Sequence, residues 1–221
     1  MSCLLYQRQP RGNVRGGLQS GRPKAEPLLS SPHPLVAAAA RGQLPDWAVA
    51  GKGRRSHMAR VASLLEQWGR ELGLQKHQIA RWRAAGYLHD ALREVPPEEL
   101  EDLLSPRLRR LPVGAWHGPA AAAVLRSEGV RDRGILRAIR WHTVGSRKFG
   151  RLGKALYAAD ALEPGRTRRV RWRERLRARI PVEMDAVLGE ILSHRICYLI
   201  GARQPVHPRT LGFWNSLVDG S

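Results

Sequence analysis

From Pro34 onward, apolar residues recur at three- and four-residue steps, the spacing that lines up one face of a helix. Between Arg55 and Leu72, the residues Val61, Leu64, Leu65, Trp68 and Leu72 share such a face, which predicts an amphipathic helix with His57 at its start. A second helix is predicted from Lys76 to about Arg93. Val95-Pro96-Pro97 stops it, because proline disfavours helical geometry in the residue before it, and His89 and Asp90 fall in its last turns. After a less regular stretch through Leu111, WHGPAAAAVLRSEG predicts a helix with Pro119 in its first turn, Gly129 at its end and His117 just outside its N-terminus. Asp132 to His142 aligns Ile135, Ile139 and His142 on one face, and Leu152 to Leu162 does the same for Leu152, Leu156 and Asp160 until Glu163-Pro164-Gly165 breaks the helix. A last long helix is predicted from Pro181 to Gly201, carrying Val187, Leu188, Ile191, Tyr198 and Leu199, after which QPVHPRT turns toward a C-terminal segment. No alternating Val/Ile/Thr/Tyr run marks a strand and no internal repeat is present, so the expected fold class is an all-α helical bundle.

Composition adds boundaries to this picture. The 221 residues suffice for one domain with a core of its own, expected over residues 34–221. Residues 1–33 are rich in Gly, Pro, Ser, Gln and Arg without periodicity, and are expected to form a disordered basic extension. No apolar run approaches the roughly 18 residues that a spanning helix needs, so no membrane partner is expected. Cys3 and Cys197 are too few for a disulfide framework, and the opening MSCLLYQRQPRG lacks a signal-peptide core; both suit a cytoplasmic protein. A net charge of +19 attracts polyanions of any kind, whether nucleic acid, anionic lipid or a phosphorylated small molecule. The excess is mostly Arg spread along the chain with Ala and Gly.

The chemistry enters where polar residues interrupt apolar faces. A buried carboxylate without a partner is costly, so Asp160 on a core-facing stripe needs a cation. Taken singly, Asp160 can be satisfied by an Arg, His142 is acceptable at a helix end and His57 at a surface. Together, four His and two Asp stand at or near helix ends in the order His57, His89-Asp90, His117, His142, Asp160, a set that a helical bundle can bring to one site. Imidazole and carboxylate without thiolate suit Fe, Mn, Zn or Co. Neighbours on a helix point about 100° apart, so Asp90 can bridge while His89 binds from one side.

The placing of His57, of His89-Asp90 within GYLHDALRE, and of Asp160 resembles the HD superfamily of metal-dependent phosphohydrolases, which are all-helical. WHGP (116–119), IRWHTVG (139–145), KALYAADALEPGR (154–166) and RQPVHPRT (203–210) are similar to its YqeK-type branch of symmetrical bis(5'-nucleosyl)-tetraphosphatases, and the likeness covers about residues 43 to 215. The resemblance implies hydrolysis of diadenosine tetraphosphate to two ADP, with His57, His89, Asp90 and Asp160 as ligands of an iron-type metal. It further implies that Asp90, His117 and His142 serve catalysis, and that Arg93, His117, His142, Thr143, Asp160, Arg166, Arg203, Gln204 and His207 contact the substrate. His117 and His142 can instead hold a second metal, leaving one ion or two open. Two positions depart from the pattern: Arg93 stands where relatives often carry Lys, and Trp214 where they often carry Arg before Asn215.

Two other readings remain. One is a different HD phosphohydrolase acting on other nucleotides. The other is a basic RNA-binding protein without hydrolase activity, suggested by GRTRRVRWRERLRARI, which holds only Trp172 as a stacking residue and no recognised binding motif; nucleic acid is accordingly not the expected partner. The sequence is compatible with a homodimer.

Overall fold

A computed structural model describes residues 32–218, so the expected basic extension lies outside the described residues except for its last two. His33 belongs to the folded part, since its Nδ1 accepts the Leu35 N–H at 3.3 Å and caps the first helix. Among the described residues the elements are α1 (Pro34–Ala40), α2 (Lys52–Glu71), α3 (Lys76–Leu88), α4 (Pro97–Glu101), a 3-10 turn (Val113–Ala115), α5 (His117–Ser127), α6 (Arg133–Trp141), α7 (Arg151–Leu162), α8 (Val170–Gly201) and α9 (Pro208–Val218), with no strand. The all-α expectation is borne out. None of these helices is long and apolar enough to cross a membrane.

One core runs through the bundle. Leu65 and Trp68 of α2, Leu88 of α3, Leu125 of α5, Ile135 and Ile139 of α6, Leu156 and Leu162 of α7, Leu188 of α8 and Phe213 of α9 are buried within it. The apolar faces read from the sequence are the faces that pack, with the exception of Tyr198 on α8, which is exposed.

Two close approaches position the site. A Cβ on Gly86 of α3 would stand 2.6 Å from the Ala62 Cα of α2. A Cβ on Gly118 of α5 would stand 2.7 Å from the Ile139 carbonyl oxygen of α6. Only glycine permits these distances. The first brings the His57 and His89 helices together, and the second does so for His117 and His142.

Three expected boundaries are corrected. Helix α3 ends at Leu88 and not near Arg93: the His89 ring Nδ1 lies 2.8 Å from the Gly86 carbonyl, the acceptor that a continuing helix would offer the Asp90 N–H. The chain then turns by i+3 bonds, including Arg93 N–H to the Asp90 carbonyl at 3.0 Å. His117 is the first residue of α5 rather than outside it, following Trp116 at the cap position. Helix α8 begins at Val170, eleven residues before Pro181, so the arginine-rich stretch is helical from Val170 onward and the helix carries Pro181 within it. Proline clashes with the carbonyl four residues back, and the helix accordingly kinks at Glu183 (φ −125°, ψ 41°). The early start is supported from the side, because Arg177 Nη1 donates to the Leu162 carbonyl at 2.6 Å and Arg173 donates to the Ala161 carbonyl, closing the C-terminal end of α7. These arginines are therefore engaged in helix packing and not simply solvated.

Candidate metal centre

The site begins with a carboxylate placed just past a helix end. Because α3 stops at Leu88, Asp90 sits in the following turn with its side chain buried, and imidazoles reach both of its oxygens. Oδ2 lies 3.5 Å from His89 Nε2, 3.6 Å from His57 Nε2 and 2.6 Å from Arg54 Nη1. Oδ1 lies 3.1 Å from His117 Nε2 and 3.4 Å from His142 Nε2. On the first side Asp160 closes in from α7, its Oδ1 lying 3.4 Å from His57 Nε2. The six His and Asp residues singled out from the sequence are thus together.

Hydrogen bonds behind the rings show which nitrogen faces inward. His89 Nδ1 meets the Gly86 carbonyl and His142 Nδ1 the Ile139 carbonyl, each at 2.8 Å. A carbonyl only accepts, so each Nδ1 carries the proton and each Nε2 presents a lone pair to the centre. His57 Nε2 and His89 Nε2 are 3.3 Å apart, and His117 Nε2 and His142 Nε2 are 3.0 Å apart. Four ring nitrogens and two carboxylates crowded at these distances form a donor set that a cation would satisfy. Three overlapping groups have ligand atoms close enough to share an ion: His57, His89 and Asp90; His89, His142 and Asp160; and Asp90, His117 and His142. The donor set therefore fits a divalent metal.

Electrostatics agree with this. Burial would raise the Asp90 carboxyl, but His89, His117 and His142 outweigh it and hold the group well below the usual carboxylate range. Asp160 is likewise held low against its burial by His57, His89 and Arg166. Burial depresses His89, and it lowers His117 to about 4 against the opposing pull of Asp90, so His117 is neutral near pH 7. In His57 and His142 burial also acts downward, but the carboxylates of Asp160 and Asp90 prevail and raise both.

The pattern described as HD domain matches residues 54–165. The chain belongs to the HD-domain family. HD domains bind divalent metals, and the matched span contains the His/Asp cluster around Asp90. Among curated proteins, the chain is 30% identical to a symmetrical bis(5'-nucleosyl)-tetraphosphatase of Bacillus subtilis, over 62% of this chain and 76% of that one. It is also 30% identical to the protein of the same name from Staphylococcus aureus, over 66% of this chain and 72% of that one. The fold is similar to the crystal structure of an HD superfamily hydrolase from Clostridium acetobutylicum, with a TM-score of 0.69, 24% identity, and coverage of 77% of this chain and 92% of that one.

Around this HD centre the remaining candidates separate. Thr143 stands at its rim, with Oγ1 3.2 Å from His142 Nε2. Arg166 is tied to Asp160 through both its carboxylate, at 2.6 Å, and its backbone carbonyl, at 2.7 Å. Arg93 is exposed, and its charge acts on His117. Arg203 and Gln204 are exposed in the turn after α8, and neither hydrogen-bonds to the cluster. His207 Nδ1 accepts the Arg209 N–H at 3.1 Å at the start of α9, a capping role. Trp214 donates from Nε1 to Ser193 Oγ at 3.0 Å, so the residue that departs from the family pattern docks α9 on α8.

Sequence reasoning missed Arg54 and underweighted Glu163. Glu163 Oε1 lies 3.3 Å from His57 Nδ1, while its Oε2 accepts from Arg60 Nε at 2.5 Å and from the Gly165 N–H at 2.7 Å. It orients His57 as the carbonyls orient His89 and His142. Arg54, His57 and Arg60 fall at three-residue steps along α2, the one sequence signal that could have found both arginines.

Proposed function

We propose that the protein hydrolyses diadenosine tetraphosphate symmetrically, releasing two ADP, at the centre built around Asp90. The observation that carries this is a single buried carboxylate with an imidazole pair on each oxygen, in a chain about 30% identical to enzymes named for that reaction. His57, His89, Asp90 and Asp160 are assigned as metal ligands. The ion is a first-row divalent metal, with iron placed first by family likeness and Mn, Co or Zn compatible with the same nitrogen and oxygen donors. Such an ion polarises a phosphoryl oxygen and lowers the pKa of bound water.

The other residues act on the substrate. His117 and His142 face the polyphosphate, with neutral His117 able to donate a hydrogen bond and His142, raised by its carboxylates, able to carry a proton toward an anionic oxygen. Thr143 adds a hydroxyl beside them. Arg166 and Arg93 supply charge for phosphate oxygens, and the Arg203, Gln204 and His207 turn lies further out as a substrate contact. The reading assigns residues 34–221 to the hydrolase domain, places the enzyme in the cytoplasm and is compatible with a homodimer.

Incubating metal-loaded protein with diadenosine tetraphosphate and separating the products tests this. Two ADP per substrate are expected, whereas AMP plus ATP, or no cleavage, overturns the assignment. A nucleotide panel separates it from another HD phosphohydrolase. Elemental analysis of anaerobically purified protein identifies the metal, and two ions per chain would make His117 and His142 ligands.

A further inference from the structure

The cavity between α7 and α8 contains groups that the metal centre does not use. It has a volume of about 200 Å³, and His142 and Asp160 line it, so it opens directly off the HD site. Its other walls include Tyr157, Trp172, Arg195 and Tyr198. Tyr157 is 4% exposed, yet its hydroxyl has no hydrogen-bond partner. A buried hydroxyl left unmatched is costly, and Tyr157 is one of the residues that line this cavity. Burial raises the phenol to about 12 despite the nearby Arg195, so at neutral pH the group is an O–H donor.

The cations around it differ in what they are free to do. Arg166 already donates through Nε and Nη2 to Asp160, and Arg173 donates to the Ala161 carbonyl. Arg195 makes no ion pair among the described residues, and its charge faces the Tyr157 oxygen. A neutral donor beside an uncommitted cation suits a phosphate oxygen. The outer walls are aromatic. Trp172 is half-buried with the His194 ring 5.1 Å away, and Tyr198 is 62% exposed. Both contribute aromatic rings to the cavity wall, the kind of side chain on which a nucleobase stacks. Sites for drug-sized ligands run to about 300–1,000 Å³, so this space takes one end of a dinucleoside polyphosphate and not the whole molecule.

We infer that this cavity is the seat of one nucleoside phosphate end of the substrate, with Tyr157 and Arg195 holding a phosphate oxygen and Trp172 and Tyr198 flanking the base. The inference rests on the dinucleotide reading above and adds the residues that would recognise the nucleoside. His194 packs beside Trp172.

Calorimetric titration of the metal-loaded enzyme with ADP and with inorganic pyrophosphate tests it, using Trp172→Ala, Tyr198→Ala and Tyr157→Phe. Loss of a stacking face should weaken ADP by about tenfold in the first two variants and leave pyrophosphate unchanged. Tyr157→Phe removes one oxygen and should weaken both probes severalfold. Should Trp172→Ala fail to fold by circular dichroism, the exposed Tyr198 decides. Unchanged ADP affinity in Trp172→Ala and Tyr198→Ala, or a parallel loss of pyrophosphate in them, overturns the inference. If the wild type fails to split diadenosine tetraphosphate while ADP binding still depends on Trp172 and Tyr198, the reaction assignment falls and the nucleoside site stands.

Discussion

The two oxygens of Asp90 face differently built surroundings. On the Oδ2 side His57 and His89 are joined by Asp160, and His57 is braced by a Glu163–Arg60 pair. On the Oδ1 side stand His117, His142 and Thr143, with no brace behind His117, whose Nδ1 is buried without a partner. The first side has a second carboxylate and anchored ligands, which is what holding an ion requires. The second has two imidazoles and a hydroxyl, which suits contact with a phosphate whose position changes during reaction. On the reading proposed above, one carboxylate joins an ion-holding face to a substrate-facing one.

The largest expected effect removes what the faces share. Asp90→Asn should leave the protein without metal by elemental analysis and bring turnover to background; a variant that keeps both would show that Asp90 joins nothing. Next comes a change confined to the Oδ1 face. His117→Ala should retain metal but lose about 10²-fold in kcat, the usual cost of removing one group that stabilises developing charge. If metal is lost with it, the two faces are one coordination site and the contrast breaks.

A smaller effect probes the Oδ2 face from behind. Glu163→Gln keeps the shape but weakens the brace on His57, and competition with a chelator should show metal affinity lowered by about 10- to 100-fold, with kcat recovering at saturating metal. The smallest acts through the scaffold. Asp132 caps α6, which carries His142 at its end, by accepting from the Gly134 and Ile135 N–H groups and pairing with Arg81 at 2.6 Å. Asp132→Ala should cost about 1 kcal/mol of stability, read as a lower Tm, with metal content unchanged. Burial would raise the Asp132 carboxyl, but Arg81 and the two N–H groups outweigh it and hold it below its ordinary 3.8. A depressed carboxyl contributes stability above its unfolded value and loses it as pH falls through the folded one, so the Tm gap should be full near pH 7 and close in acid below 3.8.

The same contrast shows what could be read early. His57, His89, Asp90, His142 and Asp160 stood out because each stands on, or close to the end of, a segment of apolar helical periodicity. Arg54 and Glu163 did not, since what they do depends on partners 36 and 103 residues away, Asp90 for the first and Arg60 for the second. The kink in α8 was invisible for a related reason. Pro181 is a local stop signal, and the helix continues through it because Arg173 and Arg177 anchor the preceding turns on the end of α7. His207 adds a role that its motif setting did not indicate, since its Nδ1 accepts the Arg209 N–H at the start of α9.

By itself, then, the sequence determined an all-helical chain, the apolar faces that pack and the order in which six metal-suited side chains meet helix ends, because periodicity and chain breaks are properties of neighbours. Tertiary structure alone decided which imidazoles share which oxygen of Asp90 and which carboxylate braces His57. It also decided that Tyr157, whose hydroxyl has no partner, lines a cavity together with His142 and Asp160. Those outcomes depend on helix–helix distances set at Gly86 and Gly118, where one absent Cβ brings distant segments within reach of a common ion.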